Sequence, residues 1–268
     1  MSKKFLDNTM AQKLRNKEPV SAAWAQLGSN LSAEILAEAG FNVLVIDMEH
    51  SPVHLLSLIS MIQATKGTDC VPFVRAPWND MVWIKQILDS GAYGIHIPYV
   101  STSEEAEYAV RSCKYSPSGF RGIASSHRAV NYSLNKAEYF KRANDDIIVM
   151  VAIETPEGVK NIKEIASVPG IDGIFIGPSD LSTSMGYLVN PSEPEVQAAI
   201  KKIEEEVSKT DKFLATIAPN FEAAEKLYER GYSLIYMMSD VTDLANLAST
   251  TVSKFNKYEG KSRQVESI

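Results

Sequence analysis

Six residues carry the side chains from which chemistry could be built, and each follows a short apolar run. Asp47, Glu49 and His50 close "VLVIDMEH", Arg75 closes "CVPFVR", Glu154 closes "IIVMVAIE" and Asp180 follows "GIFIGPS". Singly, each has an ordinary structural use: Asp47 or Asp180 can cap a helix, and Arg75 can pair with a surface acid. Together they suggest more. Glu154 and Asp180 offer hard oxygen ligands with open positions, which suit an octahedral divalent ion such as Mg2+ or Mn2+ that keeps several waters. An α-keto acid could complete that shell through its carboxylate and keto oxygens, and the ion would then stabilise the negative charge of an enolate.

Other chemistries lack their residues. A Schiff-base aldolase needs a desolvated lysine ending a strand, and the lysines here lie mostly on helical segments, none at the end of an apolar run. There is no G-x-G-x-x-G, no G-x-x-x-x-G-K-[ST] and no G-x-S-x-G, so nucleotide binding and serine hydrolysis have no support. Cys70 and Cys113 form no CxxC pair, which argues against a disulfide framework or thiolate zinc site and for two buried thiols.

The elements that must position these residues are legible. β-rich apolar runs occupy 20–24, 43–47, 70–75, 94–98, 147–154, 173–177, 212–218 and 233–239, and between them lie amphipathic stretches such as "VWIKQILDSGA" and "VQAAIKKIEEEV". Strands without polar alternation belong to a parallel sheet covered on both faces by helices. Eight βα units close most economically into a (β/α)8 TIM barrel, in which chemistry collects at the C-terminal ends of the strands. An open, doubly wound sheet is the alternative. The longest interruption, 114–145, is expected to be functional. "TMAQKLRNK", within an N-terminal helical segment 1–18, reads as a helix closing the bottom of the barrel, and 258–268 as a polar, flexible tail.

A chain of 268 residues with 45% hydrophobic and 22% charged residues fits one globular barrel domain, 1–268. The formal charge of -6, without a Lys/Arg cluster, argues against a nucleic-acid partner. No apolar run reaches the roughly 18 residues needed to cross a bilayer. The N-terminus has no apolar signal segment, so a soluble, cytoplasmic protein without a membrane partner is expected.

"DMEH", "PFVRAPW", "YSPSGFRG", "IETPEGV" and "IFIGPSDLS", in this order, resemble the HpcH/HpaI family of class II, pyruvate-dependent aldolases. The resemblance implies a metal-dependent enzyme that splits 4-hydroxy-2-oxo acids into pyruvate plus an aldehyde. It implies Glu154 and Asp180 as ligands of Mg2+ or Mn2+, with Co2+ a third candidate, and His50 as general base. Arg75 would steady the keto oxygen, Asp89 would raise the basicity of His50, and the backbone at Ser179 and Asp180 would hold the substrate carboxylate. Asp47 would order metal-bound water. It also implies a homohexamer, a trimer of dimers, in which Asp89 acts across an interface. Where family members carry a glutamine two residues before the metal glutamate, this chain has Ala152.

Three other readings use the same parts. One is a citrate lyase β-type enzyme acting on a CoA thioester, which should show basic residues for the nucleotide phosphates. Another is a siderophore-type carboligase. The third is a silent barrel that only binds a keto acid, against which the intact set of site residues argues. Of the remaining histidines, His96 reads as core, His54 as a helix cap, and His127, with Arg128, as part of a lid or a subunit contact.

Overall fold

The structure, a computed structural model, describes residues 8–265, with side chains to 259. Eight parallel strands close into a barrel in sequence order: β1 Val20–Ala25, β2 Val43–Asp47, β3 Val71–Arg75, β4 Gly94–Ile97, β5 Ile148–Ile153, β6 Gly173–Ile176, β7 Phe213–Ile217 and β8 Tyr232–Ser239. Helices connect each strand to the next, so the fold is the (β/α)8 barrel expected, and the open sheet is excluded.

Two apolar layers follow from the strand period of two. Outward residues such as Leu44, Ile46, Val74, Ile95 and Val149 pack under the helices, while inward residues such as Val43, Val45, Phe73, Met150, Phe175 and Tyr236 fill the barrel. Inward glycines make room for the large rings: a Cβ at Gly94 would lie 2.7 Å from the Phe73 ring, and one at Gly173 would lie 2.3 Å from that of Phe213. The helix Thr9–Arg15 inserts Met10, Ala11 and Leu14 into this inner layer and so seals the bottom, as its sequence suggests.

The interruption after β4 is ordered by its own 3-10 turn, Arg128–Val130, and the helix Lys136–Asp146. The last helix, Thr242–Val265, runs into the segment read as a tail, and residues 266–268 lie outside the described residues, as do 1–7 of the N-terminal segment. Among the described residues no helix is long and apolar enough to cross a membrane.

Candidate active site

Arg75 is the centre of the arrangement, and the strand register explains why. Asp47, the last residue of β2, is the ladder partner of Arg75, the last of β3. Both continue the inward phase of their strands, so their side chains meet inside the barrel rim. Arg75 Nε donates to Asp47 Oδ1 at 2.9 Å and Nη2 to Oδ2 at 2.7 Å, a bidentate pair with both partners buried. Nη1 lies 3.0 Å from Glu49 Oε2, and the guanidinium sits over the Trp24 ring at 4.4 Å. Burial opposes the charge of Asp47, but Arg75 outweighs it and holds the carboxyl below its ordinary value.

Asp47 therefore clamps the arginine. Its oxygens also accept from Gln26 Nε2 at 3.0 Å and from the Glu49 backbone N–H at 3.0 Å. Removing one member of a buried, hydrogen-bonded pair strands the other charge, so Asp47→Asn should lower stability by about 3 kcal/mol at neutral pH. Because the folded-state pKa of Asp47 is depressed, its contribution is present above the ordinary value of 3.8 and fades as pH falls through the folded value. Denaturant titrations of both proteins at pH 7 and pH 3 check this; a constant gap would refute it.

Glu154 continues the inward phase of β5 and is only 2% exposed. Thr155 immediately caps the next helix, accepting from Gly158 N–H at 3.0 Å, which fixes the chain direction just past the carboxylate. The Tyr99 N–H donates to Glu154 Oε2 at 3.0 Å. Tyr99 does so from a left-handed conformation, φ 59°, a strained choice for a non-glycine residue and one that concentrates at functional sites. On the other side, Gly177 occupies the next inward position of the β6 line. A Cβ there would lie 2.6 Å from Glu154 Oε1, so glycine leaves the carboxylate its space.

Burial pushes Glu154 up to about 7, and the charges of Asp180 and Glu49 add to the shift against the Tyr99 N–H and Arg75. Burial likewise pushes Glu49 up to about 7, opposed by Arg75 and reinforced by Asp47 and Asp180. Asp180 is half-buried in the first turn of the helix Pro178–Ser184, whose N-cap is Gly177. Three acids thus face one mouth with one guanidinium between them.

Among the described residues, no three acids, histidines or cysteines converge closely enough to cage a metal alone. The donor set nevertheless fits a hard divalent cation that takes the rest of its shell from substrate and water. A buried carboxylate that resists ionising beside other acids, with a glycine cradle at its free oxygen, is a group short of positive charge.

His50 lies at the mouth, its side chain 60% exposed, with Nε2 3.9 Å from Glu49 Oε1. Asp89 is not beside it. Asp89 ends the helix Met81–Asp89, which runs back toward the bottom of the barrel, and pairs there with Arg121 Nη2 at 2.7 Å and His127 Nε2 at 3.5 Å. Arg128 Nη1 donates to the adjacent Ser90 carbonyl at 2.9 Å. The 114–145 segment is therefore tied to the foot of the neighbouring helix and does not lid the mouth of its own barrel.

Other positions fall as expected. His54 caps the helix Leu55–Ala64, accepting from Ser57 N–H at 3.3 Å, and among the described residues no lysine ends a strand. His96 is fully buried below Arg75, 3.3 Å from the Tyr236 hydroxyl and stacked on Phe175 at 4.4 Å; burial holds it well below its ordinary pKa. Cys70 and Cys113 are buried, and burial pushes the Cys113 thiol up to about 12.

Sequence reasoning missed Trp24, Gln26 and Tyr99. Gln26 follows β1 and links Asp47 to Ser239 of β8, whose hydroxyl donates to Gln26 Oε1 at 2.9 Å. Reading the residue that leaves every strand, uncharged ones included, would have found it.

A closed parallel barrel gathers acids, one arginine and one histidine at its C-terminal mouth, and comparison with known proteins makes it a carbon–carbon lyase. The chain belongs to the HpcH/HpaI aldolase/citrate lyase family, whose model matches residues 21–246. It is 38% identical over 250 residues to a 4-hydroxy-2-oxo-heptane-1,7-dioate aldolase of Escherichia coli, covering 93% of this chain and 95% of that one. It is also 38% identical over 257 residues to a 5-keto-4-deoxy-D-glucarate aldolase of Escherichia coli O139:H28, covering 96% and 100%. Among solved structures, an HpcH/HpaI aldolase/citrate lyase family protein from Burkholderia cenocepacia J2315 superposes with a TM-score of 0.89 at 32% identity, covering 93% and 99%.

Proposed function

We propose that this protein cleaves the C3–C4 bond of 4-hydroxy-2-oxo acids to give pyruvate and an aldehyde, and joins them in the reverse direction. The observation that carries the reading is the Arg75 fork, fixed between Asp47, Glu49 and Trp24 at the rim that Glu154, Asp180 and His50 share.

Glu154 and Asp180 would hold a divalent cation, Mg2+ or Mn2+ with Co2+ a third candidate, which when bound supplies Lewis-acid stabilisation to a chelating keto acid. The Ser179 and Asp180 N–H groups stand in the first helical turn, where no helical carbonyl reaches them, and receive the substrate carboxylate. His50 takes the proton of the C4 hydroxyl; the C3–C4 bond breaks, the aldehyde leaves, and its electron pair passes into the pyruvate enolate, which is then protonated at C3. Arg75 steadies the keto oxygen as charge develops there, an interaction stronger in the transition state than in the ground state.

Asp89 lies at the other end of its own barrel, so support of His50 by Asp89 requires a second copy. The working form proposed is accordingly a homohexamer, a trimer of dimers, in the cytoplasm, with no nucleic-acid or membrane partner. Oxaloacetate tests the shared half of the reaction, because losing CO2 generates the same enolate. Mg2+ or Mn2+ should support pyruvate release and EDTA should stop it; the absence of metal-dependent release would overturn the reading.

A further inference from the structure

The motif "GFRG" has no task at the mouth of its own barrel. Phe120 and Arg121 fold back on the end of the helix Ser103–Cys113, their N–H groups donating to the Arg111 and Lys114 carbonyls at 2.9 Å each, and a Cβ at Gly119 would collide with both carbonyl oxygens. This return carries the Arg121 side chain into the protein, 4% exposed, with its guanidinium over the rings of Tyr115 at 4.6 Å and Tyr139 at 5.8 Å. Nη2 makes both of its hydrogen bonds, to Asp89 Oδ1 at 2.7 Å and to the Tyr139 hydroxyl at 3.1 Å. Nε and Nη1 are buried with no hydrogen-bond partner among the described residues.

A guanidinium so poorly satisfied is an unfavourable way to fill a core, since apolar side chains of similar volume do so without desolvating a charge. What it secures is the position of one carboxylate oxygen. Asp89 ends its helix with its side chain 21% exposed, and its other neighbour, His127, approaches the same Oδ1 at 3.5 Å without forming a hydrogen bond. Burial holds His127 below its ordinary pKa against the pull of Asp89, so Arg121 is the cation that fixes Asp89 at neutral pH. With Oδ1 held from inside, Oδ2 remains to accept from outside the chain. His50 has the complementary need: its side chain is 60% exposed, and its nearest acid is Glu49 at 3.9 Å. A base misplaced by about 1 Å loses on the order of 10²-fold in rate.

We propose that Arg121 is a positioning residue for the reaction at the mouth of a second copy: steadied by Tyr139, it sets Asp89 so that Oδ2 fixes the His50 of that copy. The inference rests on the aldol reading above and on Asp89 serving a second copy, and adds to them the residue that holds Asp89 in place.

Oxaloacetate decarboxylation makes the same enolate without taking a hydroxyl proton, so a change that disturbs only the base lowers aldol cleavage more than decarboxylation. Arg121→Lys keeps the charge but loses the planar fork and its stacking. With Mn2+, it should lower kcat for the best cleaved of a set of 4-hydroxy-2-oxo acids, 4-hydroxy-2-oxo-heptane-1,7-dioate among them, by about 10–100-fold, with KM within a few-fold and a smaller loss of decarboxylation. Tyr139→Phe keeps the ring, serves if Arg121→Lys fails to fold, and should lower the same kcat by about 2–10-fold. Neither change should add to the loss that Asp89→Asn causes alone, because both act through Asp89. Co-expression shows where Arg121 acts. His50→Ala and Arg121→Lys chains assembled together should cleave faster than either alone, since a mixed oligomer pairs an intact His50 with an intact Arg121; His50→Ala with Asp89→Asn is the control. Recovery in the control but not with Arg121→Lys overturns the proposal, as do losses that add to that of Asp89→Asn, or cleavage and decarboxylation falling equally in a folded variant. Recovery in neither mixture removes the service of Asp89 to a second copy, and a wild type that cleaves none of the acids removes the aldol reading beneath it.

Discussion

Arg75→Lys should lower kcat for retro-aldol cleavage by about 10²–10³ while KM changes by only a few-fold, the loss expected when one preorganised donor to a developing oxyanion is removed. Lysine keeps the positive charge, so the effect isolates geometry. The guanidinium uses two N–H groups on the two oxygens of Asp47, presents a third nitrogen to Glu49 and lays its face on Trp24. An ammonium is a compact point charge on a flexible stem and reproduces none of these together. Steady-state kinetics at saturating metal measure the effect, and a thermal melt separates it from loss of fold. Near wild-type turnover in a folded variant would remove Arg75 from the mechanism.

Glu154→Gln should abolish metal-dependent turnover and weaken Mn2+ binding by about 100-fold or more, beyond the 10–100-fold typical of losing an outer partner of a metal ligand. The same change should leave the metal-free protein as stable as the wild type. Glu154 is buried beside two other acids, and its charged form is disfavoured there, so a neutral amide of equal shape removes repulsion and can keep the Tyr99 N–H contact through its carbonyl oxygen. Titration calorimetry with Mn2+ reads the first effect, and the melting temperature in EDTA reads the second. Wild-type affinity for Mn2+ would eliminate Glu154 as a ligand. A large fall in the metal-free melting temperature would mean that the charge is structurally required.

The strands were legible because a parallel barrel asks for apolar residues on both faces, and such runs stand out against amphipathic helices. The run 43–47 coincides with β2, and 147–154 brackets Ile148–Ile153. The rule that chemistry leaves the C-terminal ends of strands brought Asp47, Glu49, His50, Arg75, Glu154 and Asp180 to one mouth. It had no hold on Asp89, which ends a helix. In a βα unit the helix returns antiparallel to its strand, so its C-terminus arrives at the opposite face, where Arg121 and His127 wait. The pairing of Asp47 with Arg75 was not legible: periodicity locates a carboxylate, whereas the ladder register that sets it opposite Arg75 exists only once the barrel closes. Tyr99 gave no signal, since a left-handed φ at a non-glycine residue is imposed by its surroundings.

That single turn couples whatever side chain stands at position 99 to the donor that serves Glu154. At position 99 the side chain and the peptide N–H belong to the same strained unit. A β-branched residue there would resist the left-handed turn and pull the donor away from Glu154, and proline would delete it. Glycine alone would adopt the conformation at no steric cost, giving up the ring while keeping the donor. Substitution at position 99 is therefore almost binary, since a side chain that resists the turn also loosens the hold on Glu154.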